Sequence, residues 1–342
     1  MSVTVTRLLL AALAATGSLA SPTVKRQTAC TAPKQRRAWH TLDDEEKRAY
    51  IDAERCLMSK PGTLGLYGGV TKFDELQSAH VLSTGVTHRV GAFLPFHRLL
   101  LFAHETLLET ECGYTGGQPY WQEQLDSGNF INSILLDPNT GFGGDGNPDN
   151  NCITDGPFAS YTNQIGIGYD LQEQCIRRAV NDSASAYTSD YYVDSCLAAT
   201  GWDEAWHCIE SWPHYGGHSG VGAQMSNPIS SPGDPLFYLH HTWLDKIWAD
   251  WQSFDPERRT VEIWGENRQL GTPTGPEPCG GVELFGAPPA EIPGIQIEGD
   301  NGGCQTTLGH VLDMRGIIPS RSIGEVMHTV GEVLCYEYVQ AA

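Results

Sequence analysis

The chain has 342 residues, 40% of them hydrophobic, which is ample for a sizeable core in one large or two small domains. Only 18% are charged, and 38 glycines and 20 prolines predict much loop around that core. A formal net charge of −20 and a pI near 4.8 tell against nucleic acid or an anionic membrane surface as partner.

Residues 1–20 have the form of a secretory signal: Arg7, the apolar run Leu8 to Ala15, then Ser18-Leu19-Ala20 as a small-residue cleavage site. That run is too short to span a bilayer, and no other stretch approaches the needed length, so a secreted, extracellular protein is expected. Lys25-Arg26 is either a dibasic cut that makes 21–26 a propeptide or part of a charged flexible terminus. All ten cysteines lie beyond the signal, and an even count in a secreted chain predicts up to five disulfides. There is no C-x-x-C pair, which tells against a structural zinc or a redox motif. Asn181-Asp182-Ser183 is an N-glycosylation sequon.

Acidic residues Asp43 to Glu46 open a first helix over Leu42–Lys60, closed by Pro61-Gly62. A second helical pattern, Lys72–Ser83, carries His80 near its end, and His88 falls in the following loop. Pro95 starts a strongly periodic helix running to Cys112, with His97 in its first turn beside Arg98. Residues 113–200 are predicted mostly as loop, irregular over Gly141–Asn151, with a helix near Asp170–Val180. Trp202–Trp212 lead into HYGGH, which sets His214 and His218 four residues apart; the two glycines weaken that helix locally. Next comes SPGDPLFYLHHTWLDKIWADWQ, Ser231 to Gln252. Asp234 caps a helix there, with Pro235 as its first residue. His241 has Phe237 one turn before it and Asp245 one turn after it, on one face. Beyond Gln252 the chain is rich in Gly and Pro over Gly265–Gly303. No repeat or linker appears over 27–342, so one α-rich domain with long loops is expected.

A lone helix histidine is usually a polar contact. Here two triplets occur, His80-x7-His88-x8-His97 and His214-x3-His218-x22-His241. Inward histidines on facing helices build metal sites in bundle cores. An all-imidazole set suits copper, zinc, iron or nickel. The missing carboxylates tell against a di-iron site. One trio would fit a zinc hydrolase; two trios fit a copper pair better.

FLPFHR (Phe93–Arg98), ECGYTGGQPYW (Glu111–Trp121) and SPGDPLFYLHHTWLDKIWADWQ resemble the copper-binding signatures of type-3 copper proteins, the tyrosinases, catechol oxidases and hemocyanins. The match covers roughly residues 40–255, and the whole chain is similar to the short secreted fungal polyphenol oxidases, without the C-terminal shielding domain of many relatives. The resemblance implies a mainly α fold: a four-helix bundle holding a dinuclear copper site, with long disulfide-tied loops. It implies His80, His88 and His97 as ligands of the first copper, and His214, His218 and His241 of the second, leaving His240 beside the site. Phe237 would stack on a ligand imidazole. Arg98 and Asp245 resemble the pair that ties the ligand helices, or are an ordinary buried ion pair. Glu210 resembles the carboxylate that holds a water near the second copper, against the alternative of a plain surface carboxylate.

The implied activity is oxidation of o-diphenols to o-quinones with O2 on two copper ions. Small phenolic substrates and O2 are the expected partners, and a monomer or weak dimer the expected state. The alternatives are o-aminophenol oxidation on the same site, or a hemocyanin-like O2 binder without turnover. Several positions depart from the family pattern. Tyr215 follows His214 where strongly monophenol-active relatives often have Asn, which favours diphenols. Val86 stands where a cysteine would form a thioether, Gln122 and Glu123 follow Trp121 in place of an acidic-then-aromatic ending, and Pro228 takes a pocket-entrance position. His104, His40, His207, His310 and His328 are expected not to be ligands.

Overall fold

The computed structural model describes residues 30–267, 291–296 and 305–339. The signal, the dibasic site, Cys279 and Cys304 lie outside the described residues, as does most of the Gly/Pro-rich tract.

Helix α1 (Asp44–Ser59) starts where the Asp43 carboxylate accepts from the Glu45 and Glu46 N–H groups while Glu46 reaches back to the Asp43 N–H. Thr71 and Asp74 cap α2 (Lys72–Ser83) in the same reciprocal way. The third helix, α3, spans Phe93–Cys112 and so begins two residues before Pro95, which sits in the first turn where no N–H is missed. It ends at Gly113, whose φ of 71° suits a residue without a Cβ.

The 113–200 stretch holds more regular structure than expected. The helix anticipated near Asp170–Val180 is absent: β2 (Thr162–Ile165) pairs antiparallel with β3 (Leu171–Cys175). Polar Gln and Glu leave that choice open locally. The pairing is decided by the turn at Gly168, with φ of 83°, and by the Cys152–Cys175 disulfide. Two helices follow, α4 (Asp182–Ser185) and α5 (Asp190–Leu197), and then α6 (Trp202–Ile209). A π-turn over Glu210–His214 continues into α7 (Tyr215–Val221).

Helix α8 (Leu236–Ser253) starts one residue after Pro235, with the Asp234 carboxylate accepting from the Leu236 N–H at 3.0 Å. Asp234 is itself held by the buried Arg178 guanidinium at 2.8 and 3.0 Å. After α9 (Pro256–Arg259), the described C-terminal part carries α10 (Ile323–Val326) and the short antiparallel pair Val311–Leu312 with Arg321–Ser322.

Helices α2, α3, α7 and α8 form a four-helix bundle, with α1 packed on α2 and α3 and α6 on α8. The core between them is dense in aromatic and aliphatic side chains, among them Phe73, Phe96, Leu99, Trp206, Phe237, Trp243 and Trp248, all at most 2% exposed.

Lys34–Arg36, the first strand, runs parallel to the last, Tyr336–Tyr338, and the Cys30–Cys335 disulfide closes the same corner. This clamp reaches the bundle through Asp245. Its carboxylate receives Arg98 Nε at 2.5 Å and the hydroxyls of Tyr336 and Tyr338 at 2.5 Å each. The Arg36 guanidinium lies 3.4 Å over the Tyr336 ring and pairs with Glu105 at 2.7 Å. Arg98 and Asp245 therefore join α3 to α8, and both are buried. The eight described cysteines form four disulfides: Cys30–Cys335, Cys56–Cys112, Cys152–Cys175 and Cys196–Cys208.

Candidate metal centre

The bundle brings the two histidine triplets into contact. His80 comes from the last turn of α2, His88 from the loop after it, and His97 from the second turn of α3. His214 closes the π-turn, His218 follows on α7 and His241 sits on α8. The rings of His97 and His241 stack with centroids 4.2 Å apart, and those of His88 and His214 lie at 6.1 Å. Within the first trio the centroids are 5.0–5.4 Å apart. The ligand-capable nitrogens of each trio lie within 4.8 Å of one another, and His240 joins the second group.

Main-chain carbonyls set the orientation of five of the six rings, Nδ1 of His241 being buried without such a partner. Nδ1 of His80 faces the Ile229 carbonyl at 2.9 Å, His97 that of Phe93 at 2.8 Å, and His214 that of Glu210 at 3.1 Å. His88 faces Thr84 at 3.3 Å and His218 faces Met225 at 2.6 Å. A ring that donates from Nδ1 turns the lone pair of Nε2 inward, the arrangement a metal ligand needs. In the helices these acceptors are the carbonyls one turn back, so the helix supplies its own orienting group. For His80 and His218 the acceptors come from the loop 222–230, where Pro228 is half-buried.

The donor set fits a pair of soft-to-borderline cations. Nε2 of His80, His97 and His214 is buried without a hydrogen-bond partner, which is costly for a polar atom unless a metal takes it. Nε2 of His218 and of His241 lie 3.1 Å apart. Burial, reinforced by neighbouring rings, pushes all six imidazoles below their usual pKa, His88 to about 3. Neutral imidazoles are ready ligands at pH 7.

Phe237 lies between the trios, its centroid 4.2 Å from His241, 5.3 Å from His80 and 5.9 Å from His218. Glu210 is buried, and one carboxylate oxygen accepts from the Arg89 N–H at 2.8 Å while the other has no partner. Burial pushes its carboxyl up to about 7, against the pull of that hydrogen bond and the Arg89 charge. It is not a surface carboxylate. Tyr215 is half exposed beside His214.

Away from the trios, His104 meets Glu54 at 3.0 Å and Gln118 at 2.9 Å, and stacks on Tyr238 at 3.7 Å. That buried polar cluster explains a histidine where an aromatic residue is common.

Three contributors escape notice in the sequence. Phe93 packs 4.8 Å from His97 and 4.7 Å from His214. The Glu123 carboxyl, fully buried, meets His240 Nδ1 at 2.6 Å. At Gly217 a Cβ would come within 2.2 Å of the His240 ring and 2.6 Å of Glu123, so the glycine that weakens α7 is required by the histidine it packs on. The signal for Glu123 was its place in a departure from the PYW ending, with nothing to say what it faced.

The common central domain of tyrosinase matches residues 70–254. The chain is 31% identical to tyrosinase ustQ of Aspergillus flavus over 287 residues, covering 80% of this chain and 78% of the relative. It is 28% identical to N-acetyl-6-hydroxytryptophan oxidase ivoB of Emericella nidulans over 383 residues, covering 96% and 98%. A solved structure of a mutant polyphenol oxidase from Thermothelomyces thermophila superposes with a TM-score of 0.74 at 25% identity, over 90% of this chain and 89% of that one.

Proposed function

We propose a specific activity from one premise: the chain belongs to the tyrosinase family, the type-3 copper oxidoreductases. The activity is oxidation of o-diphenols to o-quinones, two diphenols and one O2 giving two quinones and two waters. What carries this reading is the contact between two imidazole trios, with the buried Nε2 atoms of His80, His97 and His214 lacking a hydrogen-bond partner. A copper pair held there would supply the two-electron redox chemistry between diphenol and O2.

The chain's own residues do the rest. His80, His88 and His97 would hold one copper and His214, His218 and His241 the other, five of the six rings being oriented by main-chain carbonyls. Phe237 and Phe93 wall the site with flat apolar surface, which suits an aromatic ring and keeps bulk water away. Glu210, with one free carboxyl oxygen near His214, is placed to hold a water or accept a phenolic proton. Tyr215 stands where an Asn amide would help orient that water, so diphenols are favoured over monophenols. Four disulfides support folding in an oxidising compartment, in keeping with the leader over 1–20 and secretion.

A second substrate class is raised by the relative named for a hydroxytryptophan. Catechol, tyrosine, an o-aminophenol and a hydroxyindole are to be assayed side by side on copper-loaded chain. Catechol is expected to turn over fastest, with two coppers bound per chain. Binding of O2 without turnover of any of the four overturns the oxidase reading.

A further inference from the structure

The rim of the metal centre carries an aromatic surface that the chemistry above does not use. Trp212 and Tyr215 flank His214 in the chain and are 42% and 50% exposed. Tyr187 stacks on Trp212 with centroids 5.4 Å apart and meets Tyr215 at 5.7 Å. Tyr192 lies 5.4 Å from Trp212, and Tyr191, 74% exposed, extends the group along α5.

The backbone is shaped to build this surface. The π-turn inserts a residue at Glu210–His214 and carries Trp212 outward. At Gly216 a Cβ would meet Thr188 and Tyr187 at 2.9 Å, so the glycine lets α7 lie against the turn that presents Tyr187. Contiguous exposed aromatic faces usually mark a binding surface.

Its place says what it binds. Of the six trio imidazoles, His214 alone is half-buried and the other five are buried, so the centre comes nearest to solvent on this side. On α5, Asp190 and Asp194 are exposed, no Lys or Arg occurs from Ala179 to Asp245, and Lys246, which lines a cleft with Asp194, is paired to Asp250 at 2.6 Å. Arg89 reaches this side, engaging Ser211 at 3.2 Å and capping Glu210. An anionic ligand finds little to pair with here. A flat neutral one finds three ring faces.

We propose that Trp212, Tyr187 and Tyr192 form a stacking platform for the second ring of a neutral two-ring phenol whose first ring enters at His214. This rests on the phenol-oxidase reading and narrows its substrate class.

The test separates the two. Calorimetric titration of the full chain with 4-phenylresorcinol, whose meta hydroxyls cannot form an o-quinone, is compared with resorcinol. The phenyl ring is expected to tighten binding about tenfold in the wild type, and most of that gain is expected to vanish in Trp212→Ala. Trp212→Phe, which keeps a ring face, is expected to retain it. In parallel, the ratio of kcat/KM for 4-phenylcatechol over catechol on copper-loaded protein is expected to fall by a similar factor in Trp212→Ala. Where that variant does not fold, Tyr192→Ala on the separate helix α5 carries the same comparison. An undiminished phenyl advantage in the folded variants overturns the platform, as does tighter binding of a tyrosine-containing peptide than of the two-ring phenol. Absence of catechol turnover overturns the oxidase reading instead, and the calorimetry still decides the platform.

Discussion

Glu123 and His240, 117 residues apart in the chain, meet at 2.6 Å inside the wall of the second histidine group. Both are fully buried, and burial acts on them in opposite directions: it raises the Glu123 carboxyl well above its usual range and lowers the His240 ring to about 3. A neutral pair sharing one hydrogen bond avoids the cost of two buried charges. The bond fixes the ring directly beside His241.

Removing Glu123 tests that pair. Glu123→Ala strands His240 Nδ1 in the interior and is expected to cost about 1–3 kcal/mol of stability in urea unfolding. Glu123→Gln keeps both a donor and an acceptor and is expected to lose less than half of that. Equal losses for the two substitutions would show that the hydrogen bond contributes nothing.

The choice of ligand between adjacent histidines is open to direct measurement. His241→Ala is expected to abolish oxidation and leave one copper per chain by atomic absorption. His240→Ala is expected to keep both coppers and a partial activity, because the family resemblance makes His241 the ligand; His240 itself has Nδ1 held by Glu123 and a buried Nε2 without a partner, so the comparison decides between the two rings. Equal loss of metal in the two variants would count against His241 as the ligand.

Gly217 is predicted to tolerate no side chain. In Gly217→Ala the new Cβ would sit 2.2 Å from the His240 ring, so either α7 or α8 must shift. Both carry trio histidines. Copper occupancy of the second site is expected to fall at least as sharply as stability, whereas an ordinary Gly→Ala change within a helix stabilises by up to about 1 kcal/mol. Full copper content in a stabilised variant would refute this.

The clamp between the first and last strands predicts an unequal role for the disulfides. Cys30–Cys335 spans 305 residues and Cys196–Cys208 spans 12. On the chain-entropy account, loss of the first costs about 6 kcal/mol and loss of the second about 3 kcal/mol. Paired Cys→Ser variants, compared by denaturant midpoint, are expected in that order. The reverse order would mean that the strand pairing and the Asp245 network hold the ends together without the bond.

The helices that carry the site were legible because their signals are local. The acidic opening of α1 appears as the Asp43–Glu46 cap, and the α8 start expected at Pro235 falls one residue later, with Asp234 still accepting from the Leu236 N–H. The histidine spacing likewise needs no distant partner to be seen. The helix expected near Asp170–Val180 gives way to strand at Leu171–Cys175 because local propensities there are nearly neutral, and a glycine turn with a disulfide to Cys152 makes a hairpin with Thr162–Ile165.

By itself, then, the sequence determined that six histidines ride on helices and a linking loop with metal-site spacing, since helix periodicity and capping are short-range physics. Only the tertiary structure decided that Glu123 hydrogen-bonds His240, that Gly217 makes room for it, that Asp245 gathers two arginines and two tyrosines, and that Trp212 joins Tyr187 and Tyr192 at the rim. Those are contacts between residues far apart in the chain. Burial and close approach exist only once the bundle has closed, and no local pattern encodes them.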